Sequence, residues 1–260
     1  MVEPILSYYD LSPDVTAFSS TRHGGFSTGA YASFNINEYC GDSSESIRKN
    51  KEILCRKLGI SPSRLIMPHQ SHGTKTKVID EDFLAMDSDA KHECLEGVDA
   101  LITVERQVCI GVSTADCLPL LFYDKRNRVA AAIHAGWRGT CSRISSHVAE
   151  LLNKLYGTCF SELRVAFGPC ISLEDYEIKD DVYQRFADAG FDMKTIVAQK
   201  ESKLYLDIRE ANKQTLKLIG VPLDNCIFTK YNTYQYPDAF FSVRRQSPNT
   251  GRTYSGIILR

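Results

Sequence analysis

Three short segments of this chain set a metal-binding side chain beside small residues: PHQSHG at 68–73, STADCLP at 113–119 and IHAGWRGT at 133–140. Each carries a His or Cys at the edge of an apolar run, with Gly or Ala close by, so that backbone and ligand can approach closely. The residues singled out are His72, Cys117 and His134. Two imidazoles and one thiolate suit zinc, which accepts N and S donors in tetrahedral geometry. Three protein ligands leave a fourth position for water or substrate, the catalytic pattern rather than the closed structural one. The spacings are wide, so the fold must assemble the site. The same residues on buried strands also read as ordinary core positions, and spacing alone does not separate the two readings.

The neighbouring residues carry weaker signals. Asp116 faces away from Cys117 on an alternating strand and reads as a supporting carboxylate, one that could orient a histidine. His69 lies three residues before His72 and points away on an extended chain. His23, His92 and His147 sit in polar or helical surroundings and read as solvated. Cys170 reads as a nucleophile or as part of a tight turn. Trp137 suits a pocket wall or the core, and Arg138 an anion contact or a helix cap. Anion-binding candidates are Arg22 in TRHGG and Arg244, Arg245 and Arg252 in SVRRQSPNTGR, because guanidinium forks fit phosphate and carboxylate. A solvated loop is the competing reading for each.

Other chemistry can be built from the same residues. Cys117 as a free nucleophile with His134 as its base would make a cysteine hydrolase or amidase. Copper-dependent phenol oxidation is disfavoured, because six histidines in all cannot supply a mononuclear and a trinuclear centre with two in the cluster. A metal-stabilised binding module without catalysis is the remaining alternative.

The elements that must position these residues follow from pattern. The chain has 260 residues, 43% hydrophobic and 24% charged, and reads as a single domain over 1–260. A net charge of -1 gives no field for nucleic acid or an anionic membrane. No apolar run approaches the roughly 20 residues that span a bilayer. MVEPILSYYD, with an acid at position 3, does not read as a secretory signal. Nine scattered cysteines without a C-x-x-C pair imply reduced thiols and a cytoplasmic location.

Residues 20–36 read as a loop rich in Gly, Ser and Thr. Residues 43–59 read as a helix capped by Ser43 or Ser44 and stopped by Gly59. LIMPHQ and GTKTKVID read as strands, followed by VDALITV, VCIGVSTAD, LPLLFYD and RVAAAIHAG over 98–135. Helices are expected over 140–156, 180–189 and 207–219, and strands in LRVAFGPCI, CIFTKYNTY, AFFSVRR and YSGIILR. Strands broken by helices without strict alternation point to an α+β or mixed α/β fold.

Taken in order, STRHGGFS, YASFNI, HQSHG, GVDALIT, TADCLPLLFYD, AAIHAGWRGT, FGPCI, LDIREANKQTL and FFSVRRQSPNTGR resemble the YfiH-like family, also described as the laccase-domain or multicopper polyphenol oxidoreductase family. The resemblance spans nearly the whole chain, and ADCLP with HAGWRG is its most specific part. It implies a layered α/β/β/α arrangement with mixed β-sheets and metal ligands at His72, Cys117 and His134. It further implies phosphorolysis of adenosine, inosine, guanosine and methylthioadenosine, with adenosine deamination. Phenol oxidation and the editing of peptidoglycan precursors have also been attached to the family. Two positions depart from its pattern: Asn232–Thr233 stands where a Cys–Thr pair is usual, and Gln246 where Asp is usual. On this reading the partners are a nucleoside and phosphate. Arg22 would hold phosphate, with Arg245 or Arg252 as alternatives, and Asn35 would contact the ligand or hold its loop. Zinc could polarise phosphate or base, or supply a hydroxide for attack at C6 of adenine.

Overall fold

The computed structural model describes residues 2–260. The strands, in chain order, begin with β1 (Leu6–Tyr9), β2 (Val15–Ser20), β3 (Leu65–Ile66), β4 (Thr76–Ile79) and β5 (Ala100–Thr103). Next come β6 (Cys109–Thr114), β7 (Leu118–Asp124), β8 (Val129–Ala135) and β9 (Arg164–Phe167). The last are β10 (Glu177–Ile178), β11 (Val197–Lys200), β12 (Lys203–Leu206), β13 (Cys226–Phe228) and β14 (Thr253–Leu259). The helices are α1 (Ser44–Leu58), α2 (Glu81–Ala85), α3 (Ser88–Leu95) and α4 (Trp137–Cys141). They continue with α5 (Ile144–Tyr156), α6 (Asp180–Asp188), α7 (Met193–Ile196) and α8 (Ile208–Leu218).

Two sheets carry the fold. One has the order β1-β2-β14-β6-β3 and the other β13-β9-β7-β8-β5-β4, with β10-β12-β11 as a small third sheet. Both large sheets are mixed: β3–β6, β4–β5 and β13–β9 are parallel, and the remaining pairs antiparallel. Side chains alternate across each strand, and this divides the core into layers. Ala17, Ile110, Val112 and Ile257 of the first sheet meet Leu101, Leu121, Ala130 and Ala132 of the second. On the outer face of the first sheet, Phe18, Tyr254 and Ile258 bury against Ile53, Leu54 and Leu58 of α1. On the outer face of the second, Leu120, Phe122 and Ile133 pack under Val148 and Leu152 of α5 and Leu216 of α8. The order is therefore helix, sheet, sheet, helix, the expected α/β/β/α arrangement. It also explains why β5 to β8 are buried at every residue: both faces of each strand are covered.

Local signals act as the sequence suggests where side chains are short-range. Ser43 accepts a bond from the Ser46 N–H at the start of α1, and Gly59 ends it at φ 68, where only a residue without Cβ is unstrained. Asp207 caps α8 in the same manner. Other expectations change. Helix 140–156 is broken into α4 and α5 at Arg143, whose φ is 58. Helices α2 and α3, capped by Asp80 and Asp87, were not expected. AFFSVRR is a set of turns, not a strand. Phe240 and Phe241 are buried there as anchors, and the Arg244 N–H donates to the Asp116 carboxylate rather than to a neighbouring strand. CIFTKYNTY is extended only over β13. No helix among the described residues is long and apolar enough to cross a membrane.

Leu121 lies between the two sheets and is 1% exposed. Leu121→Ala is expected to lower unfolding stability by about 2–5 kcal/mol in urea denaturation, through the cavity it leaves.

Candidate metal centre

Strand register brings two of the three candidate ligands together. β7 and β8 pair with Leu118 opposite Ala135 and Pro119 opposite His134. Cys117, immediately before β7, thus lies at the same end of this central strand pair as His134 near the end of β8. His72 arrives from the connection between β3 and β4. Gln70 pins that connection to β6: its side chain donates to the Ser113 carbonyl at 2.9 Å and accepts from the Ser113 N–H at 2.8 Å. The ligand atoms of His72, Cys117 and His134 all lie within 4.8 Å of one another. Zinc holds such donors at about 2.0–2.3 Å, so a modest closure of the side chains would place all three on one ion.

A residue not singled out in the sequence organises this cluster. Asp99, fully buried just before β5, accepts a bond from His134 Nδ1 at 2.7 Å. The same carboxylate accepts from the His72 N–H at 2.9 Å and the Gly73 N–H at 2.6 Å. With Nδ1 committed to Asp99, His134 has Nε2 left as its ligand atom, the arrangement in which a carboxylate orients a metal-binding imidazole. Burial opposes the Asp99 charge, but His134 and the backbone amides of Gly73 and His72 outweigh it and hold the carboxyl below its usual range. Burial likewise opposes ionisation of Cys117, yet His134 foremost, and then His72, bring its thiol below the ordinary range. His134 is shifted in the complementary direction, upward, by Cys117 and Asp99 against the effect of burial. The thiol is thereby shifted toward thiolate, the form that ligates metal, and the proton that His134 shares with it must leave Nε2 before that nitrogen can ligate. The sequence signal for Asp99 was a lone acid opening the apolar run VDALITV.

The donors also close around a glycine. A Cβ on Gly136 would stand 3.0 Å from His72 Cδ2, 3.1 Å from Cys117 Sγ and 3.6 Å from His134 Cε1. The space between the three side chains therefore depends on the missing side chain at 136.

Two cavities meet at the cluster, and His72 and Cys117 line both. One, of about 300 Å³, is polar and includes His69, Gln70, Ser113 and Arg252. The other, of about 430 Å³, is walled by Ile171, Tyr176, Ile208 and Val243, with Arg244 at its edge.

The remaining candidates separate clearly. Arg252 borders the polar cavity, and burial lowers its pKa. Arg22 borders neither of these cavities: it donates to the carbonyls of Ala32 and Pro237 and lies over the Phe241 ring at 4.7 Å, contacts that tie loops together. Asn35 is fully buried and contacts Asn37, Asp42 and the Arg252 N–H, bonds that hold its loop. Arg245 is exposed beside Tyr234, outside both cavities; its neighbour Arg244 borders one.

Asp116 orients no histidine. Its oxygens accept from Thr233 Oγ1 at 2.6 Å and the Arg244 N–H at 2.9 Å. His69 stands apart from the metal cluster, paired with Glu96 and stacked on Tyr39, though it shares the polar cavity. Cys170 is buried and its thiol is pushed up to about 11, unsuited to a nucleophile. Trp137 packs against a satellite core, with the exposed Arg138 over its ring. His23, His92 and His147 are exposed. The two departures from the family pattern are structural: Asn232 donates to Ser172 and Asp175, and Gln246 accepts from Ser242 and Thr250.

A layered α/β/β/α protein with a two-His, one-Cys cluster at the ends of central strands is the class that fold and site define. Residues 16–260 match the family described as multi-copper polyphenol oxidoreductase laccase. The chain belongs to this YfiH-like family. It is 40% identical over 259 residues to a purine nucleoside phosphorylase of Bacteroides thetaiotaomicron, covering 98% of this chain and 96% of the relative. It is 37% identical over 245 residues to adenosine deaminase RL5 from an unknown prokaryotic organism, covering 94% and 93%. Its structure is similar to YlmD from Geobacillus stearothermophilus, at TM-score 0.90 and 28% identity over 97% of this chain and 94% of that one. Bacillus licheniformis YfiH superposes at TM-score 0.92 with 25% identity, over 99% and 97%.

Two substitutions test the centre. Gly136→Ala is expected to deplete bound metal while circular dichroism stays native. Asp99→Asn turns an amide N–H or a neutral carbonyl toward His134, and chelator competition should show metal affinity reduced by about 10–100-fold. Wild-type affinity in the Asp99 variant would show that the carboxylate does not support the site.

Proposed function

We propose that the protein is a zinc-dependent purine nucleoside phosphorylase, converting adenosine, inosine, guanosine or methylthioadenosine to free base and ribose-1-phosphate. The observation that carries this reading is the carboxylate-supported His72, Cys117 and His134 cluster placed where an Arg252 cavity and an apolar cavity meet. The names of the two relatives above point to nucleoside substrates. The donor set fits zinc: one thiolate, two imidazoles and room for a fourth ligand. Copper remains disfavoured, since the described residues bring only two histidines to the cluster. Bound zinc would supply Lewis acidity at the junction of the cavities.

The chain's own residues supply the rest. Arg252 offers a guanidinium for phosphate, and Asp99 keeps His134 in one orientation. Deamination of adenosine by the same pocket is a secondary activity on this reading. It has less support from the geometry: among the described residues lining the two cavities, the only carboxylate is Asp116, and both its oxygens are engaged.

One observation favours a second reading. Asp99, His134 and Cys117 stand in the order of an acid–base–nucleophile relay, and the thiol is shifted toward thiolate. A cysteine hydrolase or amidase, including one that edits peptidoglycan precursors, would use that relay without metal.

Incubation of zinc-loaded protein with adenosine, with and without phosphate, separates the readings. Adenine and ribose-1-phosphate are expected on chromatography, only when phosphate is present, and lost in Cys117→Ala. Inosine as the only product would replace phosphorolysis by deamination. No product in either incubation, together with rapid iodoacetamide alkylation of Cys117 that chelator does not change, would favour the hydrolase.

A further inference from the structure

We propose that the two reactants occupy separate cavities, with the purine in the apolar cavity against Tyr176 and phosphate in the polar cavity at Arg252. This rests on the phosphorylase reading and adds where each reactant is held.

The apolar cavity suits a flat heterocycle and not an anion. Ile171 and Ile208 are 2% and 1% exposed, and with Val243 they form greasy walls. Tyr176 adds a ring, backed by the Arg244 guanidinium 5.2 Å from its centroid. The Asp116 carboxylate at this cavity is spent on Thr233 and the Arg244 N–H. Arg244 is itself engaged, through the Tyr176 ring and the Glu177 carbonyl at 3.0 Å. Planar, weakly hydrated surface gains most from such walls.

The polar cavity has the opposite character. Arg252 is half-buried and, among the described residues, forms no salt bridge. Its Nη1 donates to the Thr250 and Gly251 carbonyls and its Nη2 to Pro248. A guanidinium has five N–H donors, so Nε and one Nη2 hydrogen remain for an anion. A half-buried cation without a counter-charge is the group that a phosphate satisfies.

Val243 and Pro248 line both cavities, as Ala115, His72 and Cys117 do, so the two meet along this strip. Asp116 anchors the segment that carries Val243 through the neighbouring Arg244 N–H. The cavities join at His72 and Cys117, which places ribose C1′ there. A phosphate oxygen then bonds to C1′ from one cavity while the C1′–N9 bond breaks toward the other. The electron pair leaves with the purine, and the proton of hydrogenphosphate passes to the purine through solvent, so no further reactant is needed.

Two-substrate initial-rate kinetics on zinc-loaded protein test this arrangement. Tyr176→Leu, which keeps bulk but removes the ring, is expected to raise the nucleoside KM by about 10-fold. Arg252→Gln should raise the phosphate KM by about 10–100-fold. Each variant should leave the other KM within about twofold, as for independent sites. Reversed effects, or both KM values moving together, would overturn the division. Titration calorimetry with adenine and with inorganic phosphate reads the same claim without turnover. Adenine binding lost in Tyr176→Leu and kept in Arg252→Gln, with phosphate the reverse, supports it even if phosphorolysis is absent. Adenine and phosphate competing for one site, or neither binding to the wild-type protein, overturns it.

Discussion

The buried carboxylate of Asp99 is the interaction on which the site depends. It takes hydrogen bonds from His134 Nδ1 and from the backbone of His72 and Gly73, so one side chain sets both the orientation of one imidazole and the path of the loop bearing the other. A buried carboxylate is costly unless its oxygens are satisfied. Here the groups that satisfy it belong to two of the three residues that could hold a metal ion. Burial and function are thereby coupled: the loop at 71–73 cannot move away without exposing a buried charge to a loss of partners.

The sheets make this possible. β5 brings Asp99 beside His134 because Ala100 pairs with Ile133, and β7 brings Cys117 beside His134 because Leu118 pairs with Ala135. The three strands are covered on both faces, so their end positions are held by the whole core and not by local loops. Gly136 contributes space in the middle of the cluster. Around these strand ends the C-terminal segment supplies what varies in character: Val243 and Pro248 to both cavities, Arg244 to the apolar one and Arg252 to the polar one.

A second buried carboxylate holds that segment. Asp116 joins Thr233 and the Arg244 backbone to the strand end that carries Cys117. Within the turns at 239–245 the Arg244 N–H is given to this carboxylate and is not available for a sheet ladder. Two acids near the cluster thus have different tasks, one toward the histidines and one toward the wall of the cavities. Adjacency in the sequence suggested the wrong acid for the histidine.

What the sequence determined by itself was local or periodic. The apolar runs of β5 to β8, the helical segments at 43–59 and 207–219, the Ser and Gly caps of the first, and the types and positions of His72, Cys117 and His134 are all properties of a residue and its near neighbours. Ordered motifs along the chain also carried the family and its layered fold. The tertiary structure decided everything that depends on distance between remote segments. Asp99 and His134 are 35 residues apart, and Asp116 and Arg244 are 128 apart. No spacing rule links them, because strand register and not chain proximity sets their contact. The same reason separates Arg252 from Arg22 and Arg245: a guanidinium reads identically in all three places, and only packing fixes whether it ties a loop, meets solvent or faces a cavity.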